Sequence, residues 1–127
     1  MDRTHETLYC KYGMVDGILF CLYKPIAYIT LEIARNIVSS RLHFQENEAF
    51  LVFCDTRGIK DSSKPARDYL AREGSTLVKA LVIFDDRNLS THMLRYYLFR
   101  NKPSVPTAIF KEKEKALEFL KSNSGYD

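Results

Sequence analysis

The most constraining feature of this sequence is the stretch Phe50-Leu-Val-Phe-Cys-Asp55-Thr-Arg-Gly-Ile-Lys-Asp61-Ser-Ser-Lys-Pro65-Ala-Arg-Asp-Tyr-Leu70. A short apolar run ends in an aspartate, a loop with one glycine follows, and apolar residues then return at helical spacing behind Asp61-Ser62-Ser63. An apolar run with no polar alternation suits a strand covered on both faces. The segment after it suits a helix capped by Ser62 or Ser63, with Pro65 in the first turn where a missing amide hydrogen costs nothing. Ala66, Tyr69 and Leu70 would face inward, and Gly74 would end the helix.

Other elements can be read around this unit. From Glu6 to Lys24, two apolar runs flank Asp16-Gly17, a dipeptide that readily adopts the positive backbone angles of a tight hairpin turn. A two-residue turn there sets Tyr12 opposite Cys21 and Cys10 opposite Tyr23, so the two cysteines are not directly opposed. Leu8, Cys10, Tyr12, Leu19, Cys21 and Tyr23 share one face of the hairpin; Tyr9, Val15, Ile18, Phe20 and Leu22 share the other. Both faces are apolar, so partial cover on each side is expected.

Thr30 caps a helix to about Leu42 with a stripe of Leu31, Ala34, Ile37, Val38 and Leu42, leaving Glu32, Arg35 and Arg41 outside it. Gln45 to Glu48 reads as a polar turn. Val78 to Phe84 is a further strand. Asn88 or Ser90 opens a helix to about Arg100, and Pro103 ends it. Val105 to Phe110 and Glu112 to Ser122 are the last strand and helix. The order ββαβαβαβα predicts an α/β domain: a mixed, mostly parallel sheet with an N-terminal hairpin and covering helices.

At 127 residues the chain suits a single domain over residues 1–127, with an ordered core from about 6 to 122. A hydrophobic fraction of 46% supports a packed globule, and a formal charge of +3 falls short of the strongly basic surface of a nucleic-acid binder. No apolar run reaches membrane-spanning length and the N-terminus lacks a signal-peptide core, so a cytoplasmic protein is expected. Cys10, Cys21 and Cys54 have no paired spacing and sit inside apolar runs, as buried free thiols do. His5, His43 and His92 lack ligand spacing. No metal, cofactor or catalytic dyad is read from these residues, and a non-enzymatic protein is expected.

The element order resembles the STAS domain, the fold of bacterial anti-sigma-factor antagonists and a relative of lipid-binding Sec14-like domains. Phe53-Cys-Asp55, Ser63-Lys-Pro-Ala-Arg67, Lys79-Ala-Leu-Val-Ile83, Thr107-Ala-Ile-Phe110 and Glu114-Lys-Ala-Leu-Glu-Phe-Leu120 look like the small STAS-like bacterial proteins of undefined function. The resemblance spans about Leu8 to Lys121. It implies a regulatory domain that docks to a protein partner and is switched by phosphorylation of a serine at the start of the second helix, here Ser62 or Ser63. A phosphate there would gain from the helix dipole and free amides while repelling an acidic partner. The same serines serve equally as ordinary helix caps.

Two working surfaces follow. One is the loop bearing Asp55, Arg57, Asp61 and Lys64 with the adjacent Arg67. The other is the helix bearing Arg95, Tyr96, Phe99 and Arg100, whose exposed aromatics beside arginines suit a partner or a second copy of the chain. Asp85 and Asp86 read as caps and loop solubilisers, although strand ends are where open α/β sheets build sites. Arg35, Arg41 and Arg67 read as solvated, or as lining an anion groove. The alternative function is a small-ligand or lipid-like carrier of Sec14 type, against which a short chain is expected to have little interior to spare.

Overall fold

The computed structural model describes residues 3–87 and 104–123. Its elements are β1 (Thr4–Glu6), β2 (Cys10–Val15), β3 (Ile18–Tyr23), α1 (Leu31–Gln45), β4 (Phe50–Asp55), α2 (Lys64–Glu73), β5 (Val78–Phe84), β6 (Thr107–Phe110) and α3 (Lys113–Ser122). The strands form one six-stranded sheet in sequence order. β1 to β3 pair antiparallel; β3 to β6 are parallel. The architecture is the expected mixed α/β sheet. The helix expected from Asn88 or Ser90 to Arg100 lies outside the described residues, and with it Arg95, Tyr96, Phe99 and Arg100.

Asp16 and Gly17 take φ of 51° and 79°, the positive pair that a two-residue hairpin turn requires. The register follows from that turn: Tyr12 opposes Cys21, and Cys10 opposes Tyr23. One strand was not expected. β1 is exposed at all three residues, so it carries no apolar alternation to reveal it. Leu8, expected on one hairpin face with Cys10 and Tyr12, precedes β2 and is 77% exposed.

The period of two along each strand sorts side chains to opposite faces. Phe20-Cys21 and Phe53-Cys54 each send a bulky ring to one face and a small thiol to the other. On the ring side, α3 packs Ala116 and Leu120 over Ile18, Leu51, Phe53, Ala80, Val82 and Phe84. On the thiol side, α1 and α2 pack Ala34, Ile37, Phe44 and Ala66 over Cys10, Tyr12, Leu19, Cys21 and Val52.

The caps are as read. Thr30 accepts from the Ile33 amide, and Ser63 accepts from the Ala66 amide at 3.2 Å. α1, however, runs past Leu42 to Gln45, and two readings at its end are corrected. Arg41 is buried, not solvated, and Gln45 is fully buried, not part of a turn. Gln45 Nε2 donates to the carbonyls of Glu48 and Leu77 at 2.9 and 2.8 Å, and Gln45 Oε1 accepts from Arg41. Arg41 also donates to Thr76 O at 3.1 Å and Glu73 O at 3.5 Å, tying the end of α1 to the turn before β5. These bonds offset the cost of burying polar groups.

Candidate functional site: a cavity between the sheet and two helices

The parallel strands end on a repeated local unit. In Asp55-Thr-Arg57, the Asp55 carboxylate accepts from the Arg57 amide at 3.1 Å, Nε at 3.0 Å and Nη2 at 2.8 Å. Asp85-Asp-Arg87 repeats the pattern at 3.0, 3.0 and 2.8 Å. Because the first clamp ends β4 on the ring side, Arg57 lies over Phe84, 4.7 Å from the ring centroid. The second clamp turns to the thiol side. There Asp85 Oδ2 accepts from Thr56 Oγ1 at 2.8 Å, while Arg87 donates to Ile59 O at 2.7 Å and Thr56 O at 2.9 Å.

Burial would raise the Asp85 carboxyl, but hydrogen bonds from Arg87 and Thr56 outweigh it and hold the group below its ordinary value. The reading of Asp85 as a loop solubiliser is therefore corrected: it is fully buried. Asp55, read as loop surface, is nearly buried and engaged by Arg57.

The loop after β4 is fastened to the chain after β3. Ile26 and Ile29 form parallel bridges with Ile59 and Ser62, through Ile26 N to Gly58 O and Ile29 N to Asp61 O, each at 2.9 Å. Gly58 is required for this approach, since a Cβ there would sit 2.4 Å from the Tyr23 carbonyl oxygen. The zipper fixes Asp61 and Ser62 at the mouth of a cavity of about 180 Å³.

That cavity lies between the sheet and α1 and α2. Its walls are mainly apolar, including Ile29, Ile37, Val52, Leu70 and Leu81, with Tyr12, Tyr23 and all three cysteines. Lys60, Ser62 and Arg67 stand at the end where the parallel strands finish; Arg41, Gly74 and Ser75 close the other. Little interior to spare was expected, yet this cavity of about 180 Å³ is present. Beneath the helices the small thiols of Cys10, Cys21 and Cys54 stand among larger strand residues such as Tyr12, Tyr23 and Leu81, and the gap is not filled.

The polar groups in the walls are tuned by burial. Desolvation pushes the Cys10 thiol up to about 12 and raises Tyr12 and Tyr23 as well. Tyr12 Oη reaches Ile37 O at 3.1 Å and Ser40 Oγ at 2.7 Å. The Cys21 thiol hydrogen-bonds to Cys54, which raises Cys21 and lowers Cys54 relative to ordinary thiols. All three cysteines are free.

The expected site residues therefore separate. Ser62, Asp61 and Arg67 meet at the mouth, where Arg67 Nη1 donates to Ser62 O at 2.6 Å and lies 3.3 Å from Ser62 Oγ. Ser63 is the helix cap. Lys64 points away and pairs with Asp68 at 2.8 Å. Asp55 and Arg57 form their own clamp on the opposite face. Thr56 and Arg87 were missed as site residues, Asp85 was set aside as a solubiliser, and Arg41 was read as solvated or as lining an anion groove. The repeated Asp-x-Arg at two strand ends was the available signal for three of these positions.

Residues 12–124 match the family described as Domain of unknown function (DUF7793). The chain belongs to the DUF7793 family. No curated protein matches it. Among solved structures, this DUF7793 chain is similar to an uncharacterised protein of the DUF3478 family from Shewanella loihica PV-4, described as having a SpoIIAA-like fold. The TM-score is 0.57 at 13% identity, over 94% of this chain and 92% of that one. The fold is thus STAS-like, as the residue pattern suggested. Among the described residues, no helix is long and apolar enough to cross a membrane.

Proposed function

We propose that this chain is a non-enzymatic domain that binds a small, mainly apolar molecule carrying one anionic group. The observation that supports this reading is the cavity, about 180 Å³ in volume, with apolar walls and Arg67 and Lys60 at its mouth. A cavity of about 150 Å³ is enough to hold benzene. It is also smaller than the roughly 300–1,000 Å³ of drug-sized sites, so a single ring or a short chain is the fitting body. The Arg67 guanidinium is bonded to an oxygen pair of Ser62 and not to a carboxylate, which suits it to an incoming anion. Three free thiols suit a reducing cytoplasm as the place of action.

The test is native mass spectrometry of the chain purified from its own host. A small organic increment, released on denaturation, is expected. A bare chain that also takes up no short-chain or aromatic acid in solution would reject the reading.

A second reading, regulatory docking through the Asp55 to Lys64 loop, is favoured by one contact. Arg67 stands 3.3 Å from Ser62 Oγ, so a phosphate on Ser62 would meet a guanidinium and the start of α2. The same spectra would carry a phosphate increment mapping to Ser62. Its absence after purification from the host under phosphatase inhibition would count against the switch.

A further inference from the structure

The three cysteines of the chain come from three neighbouring strands and converge on one cavity. Within that group the pairing is unequal. Cys21 and Cys54 are directly opposed in the parallel register of β3 and β4, whereas Cys10 opposes Tyr23. We propose that Cys21 and Cys54 form a two-thiolate site for a soft monovalent metal ion of the Cu(I) class.

The spacing favours a bridging ion. Neighbouring strands lie about 4.7–4.9 Å apart, and directly opposed side chains leave the sheet side by side. Metal–thiolate bonds of about 2.3 Å place two sulfurs on opposite sides of an ion about 4.6 Å apart, close to that strand spacing. A disulfide requires Cβ atoms only about 3.5–4.5 Å apart, closer than the strand spacing, and these cysteines are free.

Ligand chemistry narrows the ion. Thiolates select soft ions over magnesium or calcium. Structural zinc takes four ligands, and among the described residues no group of three His, Cys, Asp or Glu side chains could hold a metal ion. A low-coordinate monovalent ion is what two thiolates can satisfy.

Charge provides a separate argument. When the ion enters, each thiol exchanges its proton for a metal–sulfur bond. Two protons leave, and the bis-thiolate complex carries one negative charge. Arg41 lines the same cavity and is buried, and its bonds go to Gln45 and to backbone carbonyls, none of them to a carboxylate. Its positive charge balances the loaded site. Cys54 keeps part of its surface open, so the ion has a way in from the cavity. Loading requires no organic ligand, so this inference stands apart from the one above.

The experiment titrates the reduced chain with Cu(I) under anaerobic conditions against a chromophoric Cu(I) chelator, with X-ray absorption on the loaded protein. The expected result is one ion per chain with two sulfur neighbours. Removing an outer-shell partner typically costs about 10–100-fold in metal affinity, so Cys21→Ser and Cys54→Ser are each expected to lose about 100-fold or more, and Arg41→Gln about tenfold. Cys10→Ser should stay within a few-fold of wild type. If a serine variant does not fold, Cys21→Ala and Cys54→Ala replace it, and absorption on the wild-type complex reads the ligands without any variant. Wild-type binding no tighter than that of Cys21→Ser or Cys54→Ser, a third sulfur neighbour, or an equal loss in Cys10→Ser would overturn the assignment.

Discussion

The two faces of the sheet are built from alternate residues of the same strands, yet they differ in kind. Under α3, Phe20 and Phe53 lie 5.1 Å apart, Phe53 and Phe84 5.8 Å, and Phe110 and Phe119 5.7 Å, so rings fill the layer. Under α1 and α2 the strands set the thiols of Cys10, Cys21 and Cys54 among Tyr12, Tyr23, Val52 and Leu81, and a cavity of about 180 Å³ remains. Interiors pack at crystal-like density unless side chains are too small for the space between backbones. The contrast makes the ring face a filled layer and leaves the thiol face as the one where the proposed binding would occur.

The largest effect should come from breaking the ring face. Phe53 is 3% exposed and touches rings on both neighbouring strands. Phe53→Ala should cost about 3–5 kcal/mol in guanidinium unfolding. If it costs far less, the ring face is not the filled layer described.

The two Asp-x-Arg clamps sharpen the comparison because they face opposite ways. Asp85→Asn should cost about 1.5–3 kcal/mol, the worth of hydrogen bonds to a charged group, and should weaken ligand binding as well. Asp55→Asn should reduce stability but spare binding. Because the folded-state pKa of Asp85 is lowered, its contribution is present above its unfolded value and lost as pH falls through the folded one. The gap between wild type and Asp85→Asn should therefore close below about pH 4 in denaturation series. A gap that stays constant from pH 7 to pH 2 would contradict the clamp.

Smaller changes come from adding bulk. Val82, fully buried under α3, has no room to grow, so Val82→Phe should cost about 1–3 kcal/mol. Leu70 borders the cavity, so Leu70→Phe should cost less than about 1.5 kcal/mol while abolishing ligand binding. Thermal melts of the pair, with and without ligand, measure both. Equal costs on the two faces would mean that the cavity closes in solution.

The sequence made the skeleton legible where local chemistry decides it. Asp16-Gly17 set the hairpin register, and Thr30 and Ser63 cap the helices they precede. Strand β1 was hidden because an exposed edge strand needs no apolar pattern. Arg41 and Gln45 were misread because polarity was weighed above position. Ala34, Ile37, Val38, Arg41 and Gln45 follow the 3.6-residue period, which places the last two on the inner face. The mouth was only partly visible: Ser62, Asp61 and Arg67 were singled out, but that Asp85 and Arg87 line the same cavity depends on which face each strand end turns to. The cavity itself was illegible, since its volume is set by how far the helices stand from the sheet, and no spacing in the chain encodes that distance.

The most direct test of the thiol face as a binding face is a thermal-melt series with straight-chain carboxylates of increasing length, on wild type and Leu70→Phe. Ligands that bind only the folded state raise the melting temperature with affinity. The shift should grow up to about six to eight carbons, where the body fills the cavity, and fall for longer chains. It should vanish in Leu70→Phe. A flat response at every length, or the same response in both proteins, would contradict the account.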